Sequence, residues 1–257
     1  MSDIRFADVS EFQIRFDPAN YLKANNQVII CRVHNGYRAD RAMPVRMRDI
    51  RAQPFTAVGW YLYLAKDRPP SPQVVEAIGV IGRLRPNEFP IVDHEEGAGN
   101  QTGRCQQALD TFDAWAGFPA TLYSGAAFMD ANLGGRARWR RPRWIASYPP
   151  SYQPIASQEP RLATFWQFSD RASFTGISGG VDASIYHGTA QQFLQAVRGG
   201  PAPGPAPPGG DPSGVFVAQR PDGSFEAFAE GAGGVWHRWQ RGGPGAPWSD
   251  WQTLNGP

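Results

Sequence analysis

Short apolar runs alternate with amphipathic stretches over the first three quarters of the chain. The runs fall at residues 4–9, 28–33, 57–64, 89–94, 120–123, 143–147 and 163–168. Most are of strand length and near-continuously apolar, the pattern of parallel strands buried on both faces. Between several of them apolar residues recur at helical spacing. Ser71-Pro72 predicts a helix start, an N-cap followed by proline at the first helical position, and Val74, Val75, Ile78 and Ile81 supply its apolar face. Residues 102–115 repeat the pattern with Leu109, Phe112 and Trp115, and residues 190–197 with Phe193, Leu194 and Val197. Such alternation predicts an α/β sheet or barrel. From about residue 120 to 168 strands follow one another with little helical pattern, so the second half of a barrel is expected to be irregular. A (β/α)₈ barrel takes about 200–250 residues, which makes this a trimmed, TIM-like example.

A proline- and glycine-rich segment, residues 199–212, has nothing to bury and predicts an extended, semi-rigid linker. It separates a domain at residues 1–198 from a tail at 213–257. In the tail Val215-Phe216-Val217, residues 224–228, residues 235–240 and Trp248-Ser249-Asp250-Trp251 predict four short strands, with a turn at Pro221-Asp222-Gly223. The tail is expected to be a small all-β meander.

Composition narrows the classes. With 41% hydrophobic residues the chain can build a core. A formal net charge of only +2 gives no general attraction to nucleic acid. The basic run at residues 136–143, with Trp139 inside it, reads most plainly as a solvated loop, although it would also suit an anionic surface. Cys31 and Cys105 are expected to be buried free thiols. The four histidines show no ligand spacing, and no cofactor or metal motif is present. No apolar run approaches the ~20 residues of a membrane span, so no membrane insertion is expected. The N-terminus lacks the pattern of a secretory signal. The expectation is a chain made in the cytoplasm that needs another route to any extracellular target.

Candidate chemistry concentrates at Ile91-Val92-Asp93-His94-Glu95-Glu96. Asp93 and Glu95 are two apart at the end of a buried strand, hence on one side of it, and barrel active sites form at C-terminal strand ends. Two carboxyls in one cleft are what glycosidic cleavage needs, one to protonate the leaving oxygen and one to meet the positive charge at the sugar carbon. Close like charges also raise one pKa toward the working range of a proton donor. Acidic residues that merely cap the strand before the glycine-rich loop at 97–103 fit this fragment equally well. Glu96 is expected to face away. Asp8 and Asp182 each follow a short extended segment and, taken singly, read more readily as turn or cap residues.

The order of motifs resembles glycoside hydrolase family 25, the Chalaropsis-type lysozymes of bacteria, fungi and phages. Phe6-Ala7-Asp8-Val9-Ser10-Glu11-Phe12-Gln13 is similar to the family's Asp-x-Ser-x-x-Gln opening, Gly59-Trp60-Tyr61-Leu62-Tyr63 to its Gly-x-Tyr strand, and Asp93-His94-Glu95 to its Asp-x-Glu signature. Leu122-Tyr123-Ser124, Trp144-Ile145-Ala146-Ser147-Tyr148, Trp166-Gln167-Phe168-Ser169 and Gly180-Val181-Asp182-Ala183-Ser184 resemble its later strands. The resemblance runs from about residue 4 to 198. It implies a modified barrel whose last strands are partly antiparallel, with Glu95 as general acid and Asp93, Asp8 and Asp182 completing the acidic cluster, Asp93 orienting the substrate acetamido group. It leaves open whether a carboxylate or the substrate N-acetyl group attacks the sugar. Ala7 stands where glycine is common, and Cys31-Arg32-Val33-His34-Asn35-Gly36 matches the second strand loosely. Tyr61, Tyr123 and Trp166 are expected to stack on sugar faces and Trp144 to belong to the core. The tail resembles one repeat of a lectin-like β-propeller.

The resemblance implies a lysozyme, an N-acetylmuramidase acting on bacterial peptidoglycan. A phage endolysin best explains a barrel, linker and tail, with the tail holding wall glycans. Two other classes compete. A non-catalytic carbohydrate-binding protein has no need of a proton donor. A chitinase-like glycosidase of family 18 also ends a strand in Asp-x-Glu, but its longer run of spaced aspartates is replaced here by Pro90, Ile91 and Val92.

Overall fold

A computed structural model describes residues 3–13, 15–148 and 164–198, and in the tail residues 215–219, 225–231, 234–239, 249 and 252–253. The chain divides into two compact units, Met1–Pro201 and Ala202–Pro257. The expected linker at 199–212 lies outside the described residues.

The first unit is a closed eight-stranded barrel in sequential order. Its elements are β1 (Asp3–Val9), α1 (Pro18–Lys23), β2 (Val28–His34), α2 (Met43–Arg51), β3 (Ala57–Tyr63), α3 (Pro70–Ile81), β4 (Glu88–Asp93), α4 (Thr102–Ala116), β5 (Thr121–Gly125) and α5 (Ala126–Asn132). A 3₁₀ turn (Arg136–Arg138), β6 (Arg143–Ala146), β7 (Phe165–Ala172), β8 (Val181–His187) and α6 (Ala190–Arg198) complete it. Strands β1 to β7 pair in parallel, whereas β8 runs antiparallel to both β7 and β1. The α/β barrel with an antiparallel closing strand is therefore as expected.

Period-two alternation assigns each strand an inner and an outer face. Ile29, Cys31, Val58, Trp60, Leu62, Val92 and Leu122 point outward and pack under the helices, where Val74, Leu109 and Phe112 meet them. Phe6, Ile30, Tyr61, Ile91, Tyr123, Trp144 and Phe165 point inward. The interior is packed solid: a Cβ at Gly59 would stand 2.9 Å from Ile30, Phe89 and Ile91. Helix α6 stoppers the end of the barrel at which the parallel strands begin. Phe193 sits with its ring centroid 4.9 Å from both Phe6 and Phe165 and 5.7 Å from Phe89. Only the opposite mouth, at the C-terminal strand ends, is left for a site.

Several local expectations shift. Helix α3 begins at Pro70, not Pro72, because Pro69-Pro70 already presets the helical entry; Ser71 makes no cap and instead accepts a hydrogen bond from the Thr111 hydroxyl at 3.1 Å. Helix α5 and the 3₁₀ turn occupy part of the region expected to lack helices. Trp139 is 3% exposed and donates to the Leu133 carbonyl at 3.0 Å. The basic run around it is largely engaged: Arg136 pairs with Asp130 at 3.0 Å and Arg141 with Asp113 at 3.2 Å. Cys31 and Cys105 are buried and free. Among the described residues no helix is long and apolar enough to cross a membrane.

The second unit is a four-stranded antiparallel meander, β9 (Val215–Gln219), β10 (Phe225–Gly231), β11 (Gly234–Trp239) and β12 (Gln252–Thr253), in the order β12-β11-β10-β9. Of the fourth expected strand, at 248–251, only Ser249 is described, and β12 follows at Gln252–Thr253. The expected turn at 221–223, with Trp248 and Trp251, lies outside the described residues.

Candidate active site

The open mouth of the barrel holds a cavity of about 300 Å³. All four sequence-identified acids line it: Asp8 at the end of β1, Asp93 at the end of β4, Glu95 two residues beyond, and Asp182 at the start of β8. Strand direction explains the last. An antiparallel strand enters where its parallel neighbours leave, so the first turn of β8 meets the last turn of β1, and Asp8 and Asp182 are register partners. Period two brings Asp93 and Glu95 to the cavity and turns His94 away into the helix layer, its ring centroid 5.7 Å from that of Phe128. Burial, then the charge of Arg104, lowers the His94 pKa to about 4, so the ring stays neutral near pH 7. Glu96 accepts from the Lys66 amide at 2.9 Å and is not a lining residue.

Gln167 of β7, 1% exposed, ties the cluster together. Its Oε1 accepts from the Tyr123 hydroxyl at 2.8 Å and from the Tyr148 hydroxyl. With the oxygen committed to two phenols, Nε2 faces the acids, donating to Asp8 Oδ2 at 2.9 Å and Asp182 Oδ2 at 3.4 Å. Asp93 is 5% exposed, and among the described residues its Oδ1 has no hydrogen-bond partner. A buried acceptor without a partner has a free position for a donor from a ligand.

The electrostatics follow from crowding four acids at the mouth of an apolar barrel. Desolvation first, then the charge of Asp182, holds Asp8 well above the usual carboxylate range. Desolvation and the charge of Glu95 do the same to Asp93. Asp182 is raised to about 6 by burial and the charge of Asp170, offset by a hydrogen bond with Asp8. Asp8 and Asp182 therefore hold a proton as a pair at a pH where isolated carboxyls are ionised. Glu95 is the exposed member, yet burial of its carboxyl and the charges of Asp182 and Glu96 raise it too. The four titrate as one unit and retain protons where isolated carboxyls have lost theirs.

Aromatic rings form the floor. Tyr61 and Tyr123 line the cavity as expected, and so does Trp144, with ring centroids 4.3 Å from Tyr123 and 6.4 Å from Tyr61. Trp144 is held by a 2.9 Å hydrogen bond from Nε1 to Ser184 Oγ. Trp166 is a correction. Phe165 and Gln167 face inward, so the residue between them faces outward; Trp166 is 2% exposed, donates to the Ser147 carbonyl at 2.8 Å and does not line the cavity. Trp144, 1% exposed, belongs to the inner core cluster as expected and also walls the cavity, whereas Trp166 does not reach it. Gln167, Arg32, Tyr63, Phe12 and Gln13 also line the cavity; they stand in the motifs quoted from sequence but were not read there as site residues. A glutamine at an inward position of an otherwise apolar strand was the available signal for Gln167. Among the described residues no set of His, Cys, Asp and Glu is arranged to hold a metal ion.

Comparison with known proteins bears on this arrangement. The model of the family described as glycosyl hydrolases family 25 matches residues 7–177, well over half of the chain. The fold is similar to that of a bacterial lysozyme from Streptomyces coelicolor, at TM-score 0.66 and 18% identity over 77% of this chain and 99% of that one. It is similar to the catalytic domain of the endolysin ply40 from bacteriophage P40 of Listeria monocytogenes, at TM-score 0.63 and 19% identity over 76% and 98% of the two chains. It is also similar to a family 25 glycosyl hydrolase from Bacillus anthracis, at TM-score 0.65 and 18% identity over 75% and 92%. By sequence, the uncharacterized protein YegX of Escherichia coli O157:H7 is 32% identical over 117 residues, 44% of this chain and 42% of that protein. The match therefore spans less than half of that relative.

Proposed function

The chain belongs to glycosyl hydrolases family 25, and from that premise we propose that it is a lysozyme, an N-acetylmuramidase cleaving the β-1,4 bond between N-acetylmuramic acid and N-acetylglucosamine in bacterial peptidoglycan. The observation that carries the reading is the meeting of Asp8, Asp93, Glu95 and Asp182, from three strand ends and a following loop, around one cavity. Pure binding of a glycan gains nothing from four acids whose pKa values are raised by one another and by burial.

In this reading Glu95, protonated and open to the mouth, gives its proton to the glycosidic oxygen as the bond breaks. The residual negative charge shared by Asp182, Asp93 and Asp8 faces the positive charge developing at the sugar carbon. The unpartnered Oδ1 of Asp93 accepts from the substrate acetamido N–H. Tyr61 and Tyr123, with Trp144 beneath them, present apolar faces to the sugar rings. Water completes the hydrolysis, with Glu95 recovering its proton. The second unit, joined through the linker at 199–212, is read as a wall-glycan module; its support is a compact antiparallel sheet separate from the barrel. The setting is a phage endolysin acting on the cell wall.

The test is digestion of purified peptidoglycan with the protein and with Glu95→Gln, reading reducing-end sugars by mass spectrometry. Muramic acid ends that fall at least about 100-fold in the variant are expected. Glucosamine ends would identify a different bond, and no products from the unaltered protein would leave only binding. For the module, ending the chain at residue 201 is expected to weaken sedimentation with walls while soluble-fragment cleavage persists.

A further inference from the structure

One cation faces the acidic cavity among its described lining residues, Arg32 of β2. Alternation along β2 puts it on the inner face with Ile30, beside Tyr61 in register. Its guanidinium is fastened on one edge: Nε donates to Asp40 at 3.1 Å and Nη2 to Glu11 at 3.3 Å. Glu11 has a stronger partner of its own, the bidentate Arg38 at 2.8 and 3.0 Å. Arg32 Nη1 has no protein partner among the described residues. Over the guanidinium, 5.2 Å away, lies the ring of Phe12, also lining the cavity and 74% exposed.

The residues flanking that exposed ring are tied down by hydrogen bonds. Arg46, 6% exposed, donates from Nη1 to the Ser10 carbonyl at 2.6 Å and from Nη2 to the Gln13 carbonyl at 2.7 Å. Asp40 receives the Glu11 amide at 2.8 Å. An apolar ring fixed in water beside a pre-oriented guanidinium with a free nitrogen is a recognition element rather than a packing one.

We propose that Arg32 and Phe12 form a subsite for a carboxylate carried by the glycan substrate. The inference deepens the muramidase reading and rests on it. The electrostatics require such a device: a substrate carboxylate entering a mouth lined by four acids is repelled everywhere except where Arg32 offers a charge-assisted hydrogen bond. Because two of the three guanidinium nitrogens are already fixed, little side-chain entropy is lost on binding. Phe12 shields the contact from water and covers the apolar face of the sugar or its substituent. A neutral N-acetylglucosamine polymer has nothing to offer this subsite. The carboxylate has two sources in peptidoglycan: the stem peptide, or a lactyl group from which the peptide has been removed.

The experiment compares the protein with Arg32→Gln and Arg32→Lys on three soluble glycan preparations. These are native fragments, the same fragments with carboxylates converted to neutral methylamides by carbodiimide and methylamine, and fragments stripped of stem peptides by an amidase. The expected result on native fragments is a KM about tenfold or more higher for Arg32→Gln, with kcat changed far less, and partial recovery in Arg32→Lys. Blocking the carboxylates is expected to raise the KM of the unaltered protein by a similar factor and leave Arg32→Gln unaffected. An Arg32 effect present on native fragments and lost on stripped ones assigns the stem-peptide carboxylate, and one that appears or grows on stripped fragments shows that the freed lactyl carboxylate occupies the subsite. Equal penalties from blocking in the protein and in Arg32→Gln overturn the subsite. Failure of the unaltered protein to cleave any preparation overturns the muramidase reading instead. Since Arg32→Gln leaves the fully buried Asp40 carboxylate short of a partner, the double variant Arg32→Gln/Asp40→Asn, checked by thermal melting, repeats the comparison with no stranded charge.

Discussion

Replacing Asp182 by asparagine should stabilise the protein at neutral pH while disabling the site. The Asp182 carboxyl titrates near 6 in the folded state, against an ordinary 3.8, because burial and the charge of Asp170 oppose its ionisation. A carboxyl raised on folding favours the folded state fully only below its unfolded pKa; that contribution is lost as pH rises through the folded value. Between about pH 4 and pH 6 the fold therefore weakens progressively relative to an uncharged residue at this position, and the deficit is constant above. A shift of about two units corresponds to at most about 3 kcal/mol at 1.36 kcal/mol per unit; the partial exposure of Asp182 reduces this to about 1–2 kcal/mol. Asparagine keeps the shape and an oxygen to accept the Asp8 proton. Urea unfolding of Asp182→Asn and the parent at pH 4, 5, 6, 7 and 8 measures the difference. The variant should be about 1–2 kcal/mol more stable at pH 7–8 and indistinguishable at pH 4, with cleavage falling about 100-fold. A variant equally less stable at both ends of the range would refute the argument, because Asp182 would then be stabilising the fold through its contacts rather than straining it through its charge.

Gln167→Met, close in volume, strands the Asp8 carboxyl and the Tyr123 hydroxyl in a dry site; a loss of about 2–5 kcal/mol in denaturant unfolding is expected, with the pH–rate profile displaced. Gly59→Val forces side-chain atoms into Ile30, Phe89 and Ile91, so reduced soluble yield or a thermal midpoint lowered by several degrees should follow. Phe193→Ala removes the ring that stoppers the barrel and should cost about 3–5 kcal/mol without moving KM, since the site lies at the other end. Trp144→Phe should raise KM severalfold, whereas Trp166→Phe should leave it unchanged.

Much of this molecule is legible in one dimension because the information is local. Runs such as Val28–His34 and Glu88–Asp93, buried on both faces, carry unbroken apolar stretches, Val28–Cys31 and Phe89–Val92, and the alternation of such runs with helical patterns specifies the barrel class. Asp93 and Glu95 fall on one side of a strand end by period two alone. Helix α2 was harder to read, because Arg46 occupies its buried face to hold the loop at residues 10–13. A charge there breaks the apolar stripe that marks a helix. Strand β8 was read only as a short extended segment, since Asp182, Ser184 and His187 interrupt its apolar character.

What the chain could not state by itself is direction and partnership. Whether Asp182 meets Asp8 depends on β8 running against β1, a consequence of closing the barrel and not of any residue near position 182. That Trp144 walls the cavity and Trp166 does not depends on which face of β6 and β7 turns inward, which is set by the closed barrel. The raised pKa values arise where strand ends far apart in sequence share one dry mouth, so that each acid's proton affinity is set by the others. Residue type and spacing determine which elements form and which side chains share a face; only the closed barrel determines which of those faces meet.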